Sequence, residues 1–236
     1  MEKYLLKESY IKYLRDVRGI KESSIRHYLD ALQYISRFLV QKGSLRETIF
    51  EICDILELEQ LKEILFADQD FVSLDKRGHQ MYSAGLNNYL RFANGADLEN
   101  STDISKLDIT IAKPEKTENT QWTWKRSSII KRQVIRAAQY MCEYDKSHKT
   151  FIAKATGFQY MEGHHAIPIS RQIDFDCSLD VYANVVCLCP VCHRLLHYGE
   201  DSIKENVLNK IYFERADRLA QSGIKISAEE FKKMAL

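Results

Sequence analysis

The stretch NVVCLCPVCHRLLHYG, residues 184–199, constrains this chain more than any other. Cys189 and Cys192 make a C-P-V-C knuckle, whose two thiolates, one turn apart, can chelate a single tetrahedral zinc. His193 and His197 follow at i, i+4 spacing. On a helix that spacing turns both rings to one side, where they can share a metal. The apolar run NVVCLC before the knuckle predicts a short strand, and VCHRLLHYG a helix ending at Gly199. The segment therefore has to pass from strand to helix through metal ligands, and the rest of the chain has to bring it the missing donors.

A knuckle supplies two ligands and a closed site needs four. The nearest upstream cysteine is Cys142, followed by EYDKSH. Cys142, His148, Cys189 and Cys192 are the expected Cys3His structural zinc site, with Asp145, at C-x-x-D spacing, as the alternative fourth ligand. Cys187 is either a core residue or a spare ligand. The second donor set comes from MEGHHAIPIS, residues 161–170, where His164 and His165 are adjacent. GFQYMEGHH alternates aromatic and polar residues as a strand does, so the two imidazoles should face opposite sides. Six cysteines, five of them in the C-terminal half with five of the seven histidines, suit metal binding in a reducing compartment better than disulfides.

The flanking sequence predicts a mainly α chain with a small α+β element. Residues 1–95 read as a helical N-terminal domain, with apolar stripes in YLLKESYIKYLRDV and in SIRHYLDALQYISRFLVQKG, the latter capped by Ser23 or Ser24. Further helices are expected at IFEICDIL, LEQLKEILFAD and GHQMYSAGLNNYLRFANG. Residues 96–121 are polar, carry Pro114 and read as a linker. Residues 122–236 make the second domain, with helices in SSIIKRQVIRAAQYMC and SIKENVLNKIYFERADRLAQSG and a capped tail, SAEEFKKMAL.

The net charge is only +1, yet from Trp122 to Tyr160 Lys125, Arg126, Lys131, Arg132, Arg136, Lys146, Lys149 and Lys154 stand against Glu143 and Asp145 alone. A local basic patch of this kind suits a polyanion. Arg132, Arg136, Lys149 and Arg194 are the candidate phosphate contacts, Arg194 because it adjoins His193; a solvated helix face is the plainer alternative for each. Trp122 and Trp124 are read as packing residues. No signal peptide and no apolar run of the roughly 18 residues needed to span a bilayer are visible, which predicts a cytoplasmic protein without a membrane partner.

EGHHAIP, then Asn184, then His193 and His197 beside a C-x-x-C, resembles the HNH (ββα-metal, or His-Me finger) endonuclease superfamily. CEYDKSHKTF and LCPVCHRLLHYG resemble most its McrA-like, restriction-type branch, over about residues 125–200. The resemblance implies a C-terminal ββα-metal nuclease domain, with His165 as general base, Asn184 bracing the loop that carries it, and His164, His193 and His197 holding a catalytic divalent metal. Glu162 would support a ligand histidine or face solvent. It further implies DNA as substrate, a restriction or phage-defence role, and a homodimer for double-strand cleavage. The catalytic ion is left open among Mg2+, Mn2+, Ni2+ and Zn2+, since imidazoles favour the softer ions and magnesium favours oxygen. The N-terminal domain would bind the target or dimerise. A non-catalytic zinc module that binds nucleic acid, and a toxin-type non-specific nuclease, are the alternatives.

Overall fold

The computed structural model describes residues 4–99, 101–113 and 126–236. Trp122, Trp124, Lys125 and Pro114 lie outside them. The chain divides into two compact units, Met1–Asp97 and Leu98–Leu236.

The first unit is helical: α1 (Leu5–Lys12), α2 (Glu22–Gln41), α3 (Ile55–Ala67), α4 (Gln69–Arg77) and α5 (Met81–Ala93). Its centre is a cluster of buried rings, Tyr10, Tyr13, Tyr89 and Phe92, with centroids 5.1–6.4 Å apart. Helices α2 and α5 cross closely because Gly85 has no side chain: a Cβ there would lie 2.8 Å from that of Ala31. Two expectations shift. Helix α2 starts after Lys21 and takes no side-chain cap from Ser23 or Ser24. IFEICDIL is not one helix: Thr48 caps a short 3-10 turn, Ile49–Glu51, and Asp54 caps α3 by accepting from Leu56 and Glu57. Asp54 offers its carboxylate to those free amides only from an extended backbone, so the helix cannot run through it.

The second unit begins inside the stretch expected to be a linker. Leu98, Ile104, Leu107 and Ile111 are buried, α6 spans Ser101–Ser105, and Asp108 pairs with Arg218. Residues 98–113 are thus packed chain, because their apolar side chains, although few, reach a core. Helix α7 (Ser128–Ala137) is capped by Ser127, whose hydroxyl accepts from Ile130 N–H. It ends before the expected QYMC because Gln139 and Tyr140 take the left-handed conformation.

Two antiparallel strands follow, β1 (Glu162–His165) and β2 (Val185–Leu188), paired Glu162 to Leu188, Gly163 to Cys187, His164 to Val186 and His165 to Val185. The loop between them contains 3-10 turns at Ile169–Asp174 and Tyr182–Asn184. Helix α8 (Pro190–Tyr198) leaves β2 through the knuckle, and α9 (Asp201–Gln221) and α10 (Ala228–Ala235) complete the unit. Buried Arg215 of α9 donates to the carbonyls of Tyr182 and Ala183 and to Glu143, whose other oxygen accepts from Cys187 N–H. This bracing fixes where β2 begins. The cap expected of the tail is present, as a capping box between Ser227 and Glu230.

Helix α7 lies on the sheet at Gly163, where a Cβ would sit 2.9 Å from Lys131 Cγ and 3.4 Å from its Cα. Gly163→Val should therefore force the helix off the strand and cost about 1–3 kcal/mol, the usual range for overpacking, measured by urea unfolding. An unchanged midpoint would mean that this approach is not tight.

Candidate active site

Cys142, His148, Cys189 and Cys192 come together as one donor group, their ligand atoms within 4.8 Å of one another. His148 Nδ1 lies 3.5 Å from Cys189 Sγ and 3.3 Å from Cys192 Sγ. A tetrahedral zinc with ordinary Zn–S and Zn–N bonds separates such atoms by about 3.6 Å, so the donor set and spacing fit zinc. Asp145 is placed behind the ring, 3.5 Å from His148 Nε2 on the side away from the thiols. It is a partner of the histidine rather than a fourth donor, an arrangement that orients a ligand imidazole. Burial opposes ionisation of Cys142, but amide donation from Cys189 and Asp145 and the His148 side chain outweigh it, and the thiol sits below its ordinary value. Cys187 is outside the group. Fully buried on β2, it has its pKa raised, first by burial and then by the Glu143 charge.

His164, His193 and His197 form the second group, with ring centroids 4.8–5.0 Å apart and His193 Nε2 3.2 Å from His197 Nε2. Two imidazole nitrogens on one tetrahedral ion stand about 3.4 Å apart, so these rings also fit a metal. Burial, and then the charges His193, His197 and His165 would carry, push His164 down to about 3. Burial and His193 lower His197 as well. Neutral imidazole is the form that ligates metal. Glu162 is not solvent-facing. Its Oε2 is bonded to His193 Nδ1 and its Oε1 accepts from Tyr160 Oη at 3.1 Å. Burial works against its ionisation, but the bonds to His193 and Tyr160 prevail and its pKa is lowered. With Nδ1 so occupied, His193 presents Nε2 to the cluster.

His165 faces the other side of β1. It is buried, and its Nε2 lies 2.7 Å from Asp180 Oδ1. Asn184, fully buried, uses its whole amide: Oδ1 accepts from Ile167 N–H at 2.8 Å, and Nδ2 donates to Ile167 O and Leu179 O, each at 2.9 Å. Ile167 is two residues from His165 and Leu179 precedes Asp180, so one side chain clamps both flanks of the pair. Gln172 assists, donating to Cys177 O and accepting from Leu179 N–H.

Asp180 gave no sequence signal, since it stands in an unpatterned loop at no motif spacing. Lys131 was visible only as one charge in a patch, yet its stem packs on Gly163 and its ammonium acts on His164. Burial, then Arg126, lowers its own pKa, against the pull of Asp180. Arg194 is exposed on α8, within electrostatic reach of Glu162 and His197 and over the Tyr198 ring. Arg132, Arg136 and Lys149 are exposed, the first two on α7 and the third in the loop before β1.

Two strands followed by a helix, with two donor groups gathered on them and on the segment before β1, make a ββα-metal type of unit. Residues 142–199 match the HNH endonuclease family model. Over 90 residues the chain is 32% identical to the Type IV methyl-directed restriction enzyme EcoKMcrA of Escherichia coli (strain K12), a match covering 38% of this chain and 30% of that enzyme. The McrA-like HNH resemblance read from the motifs therefore holds over this region, within a mainly helical fold with a two-stranded sheet, and the similarities support a nuclease. The matched region spans less than a third of the relative's length. Among the described residues no helix is long and apolar enough to cross a membrane.

The depressed pKa of His164 has a signed consequence. In chelator-treated protein the unfolded chain takes up a proton at this site as pH falls below about 6.5, while the folded chain resists until about 3. Stability must then fall across that window as pH drops. His164→Gln should flatten this acid limb in urea titrations; equal slopes for the two proteins would contradict the assignment.

Proposed function

We propose that this chain is a metal-dependent HNH endonuclease hydrolysing DNA phosphodiester bonds in restriction or phage defence. The observation that carries the reading is the division at the end of β1: three imidazoles converge on one side, at His164, and His165 stands alone on the other beside a carboxylate. His164, His193 and His197 would hold the divalent ion, and Glu162 would fix the His193 ring. When bound, such an ion offsets the charge that develops on phosphate as the P–O bond breaks. His165 accepts the proton of the attacking water, work suited to an imidazole near neutral pH. Asn184 keeps the loop of the base in place and touches no substrate. The three-imidazole set favours zinc, nickel or manganese over magnesium.

Cys142, His148, Cys189 and Cys192 would bind a structural zinc that holds α8 against the loop before β1. Lys131 and Arg194, whose charges reach His164 and His197, would meet the phosphates around the scissile bond, with Arg132, Arg136 and Lys149 contacting the backbone further out. The similarity to a restriction enzyme supports the defence role. One such site cuts one strand, so we assign double-strand cleavage to a cytoplasmic homodimer, with residues 1–95 binding the target or the second copy.

The test is incubation of plasmid and phage DNA with the protein and a panel of divalent ions, beside His165→Ala. Cleavage should need an added ion and fall about 100-fold or more in the variant, the scale of a lost general base. A variant as fast as the parent would remove His165 from the role. Binding of DNA with no cleavage under any ion would replace the enzyme by a binding module.

A further inference from the structure

We propose that Asp180 is the positioning residue that fixes the tautomer of His165, so that the water proton is accepted at Nδ1 and at no other atom. The inference rests on the reading of His165 as the base. The Asp180 carboxylate is shared between two donors. Oδ1 is 2.7 Å from His165 Nε2, and Oδ2 accepts from Ser127 N–H, also at 2.7 Å. An ionised carboxylate can only accept, so the hydrogen in the first contact belongs to Nε2. The imidazole is then Nε2–H, and its remaining lone pair is on Nδ1. Both partners are shielded, with side chains 7% and 14% exposed, so water competes weakly for the bond.

The carboxylate is itself aimed. Ser127 is the N-cap of α7, and its N–H comes from a helix end that the hydroxyl of the same residue ties down. On the loop side, Leu179 O is held by Asn184, and Asp180 N–H donates to Ser178 Oγ at 3.2 Å. Asp180 thus links the start of α7 to the base. Lys131, one turn into α7, is a cation in electrostatic reach of Asp180. During hydrolysis the water oxygen forms its bond to phosphorus as its proton moves to Nδ1. The P–O bond to the leaving oxygen breaks with its electron pair, and that oxygen takes a proton from solvent. The imidazolium left behind has its charge offset by Asp180.

The isosteric change Asp180→Asn separates this role from simple support. Ser127 N–H can only donate, so the asparagine carbonyl must turn towards it and the NH2 group towards His165. Nε2 then becomes the acceptor and the proton moves to Nδ1, closing the lone pair needed for base catalysis. A neutral imidazole held in the wrong tautomer is the recognised cost of the equivalent change in serine proteases. kcat should fall about 100- to 10,000-fold, the range for a general base, with KM for DNA unchanged. Asp180→Glu, which keeps an acceptor, should retain the parent tautomer and part of the activity.

The deciding readout is the tautomer itself, from two-bond 1H–15N correlation spectra of the histidine-labelled full chain at about pH 8, above the ordinary imidazole range. The parent and Asp180→Glu should show His165 as Nε2–H, and Asp180→Asn as Nδ1–H. A parent in the Nδ1–H form, or no switch in the asparagine variant, overturns the proposal whatever the cleavage rates. A clean switch with undiminished kcat leaves Asp180 in control of the ring and overturns instead the reading of His165 as base.

Discussion

The register of β1 against β2 is the constraint on which the rest of the second unit depends. His164 pairs with Val186 and His165 with Val185. Strand side chains alternate between faces, so a slip of one residue would turn every side chain over. His165 would join His193 and His197, and His164 would face Asp180. Four residue pairs cannot hold such a register alone, since isolated two-stranded ribbons are marginal in water. It is fixed from outside: by the close approach of Lys131 on Gly163, by the Asn184 amide, and by Glu143 and Arg215 bracing β2 and the turn before it.

The cysteine-rich group belongs to the same problem. Cys189 closes β2 and caps α8, accepting from Cys192 N–H. Cys192 and His193 are consecutive, and successive helix residues point about 100° apart. One face of α8 can therefore turn towards Cys142 and His148 while the next presents imidazoles to His164. A metal among the thiols would thereby set the angle of the helix that carries two of the three histidines. Structural zinc supplies folding energy that small sheets cannot.

What could be seen in the sequence follows from what each residue type needs. The two candidate donor groups were legible because chelation demands particular side chains at helix and knuckle spacings, and Asn184 and His165 were singled out through resemblance to a family. The choice between His148 and Asp145 was not, since both lie within reach of Cys142 along the chain and only the fold shows which atom meets the thiols. Residues 98–113 looked like a linker because the stretch is largely polar and its apolar residues, Leu98, Ile104, Leu107 and Ile111, are too few to sustain a period, yet burial requires only that each finds a pocket. Asp180 was invisible for a related reason. Its contact crosses from a loop to a strand and to the start of α7, and no local pattern records it.

The donor geometry calls for two chemically distinct metal centres on neighbouring faces of α8, with His165 in neither. Anomalous diffraction from crystals of the full chain grown with zinc and soaked in manganese tests this most directly. The account predicts one peak among Cys142, His148, Cys189 and Cys192, a second among His164, His193 and His197, and none within bonding distance of His165. A peak on His165, or a single shared peak, would contradict it.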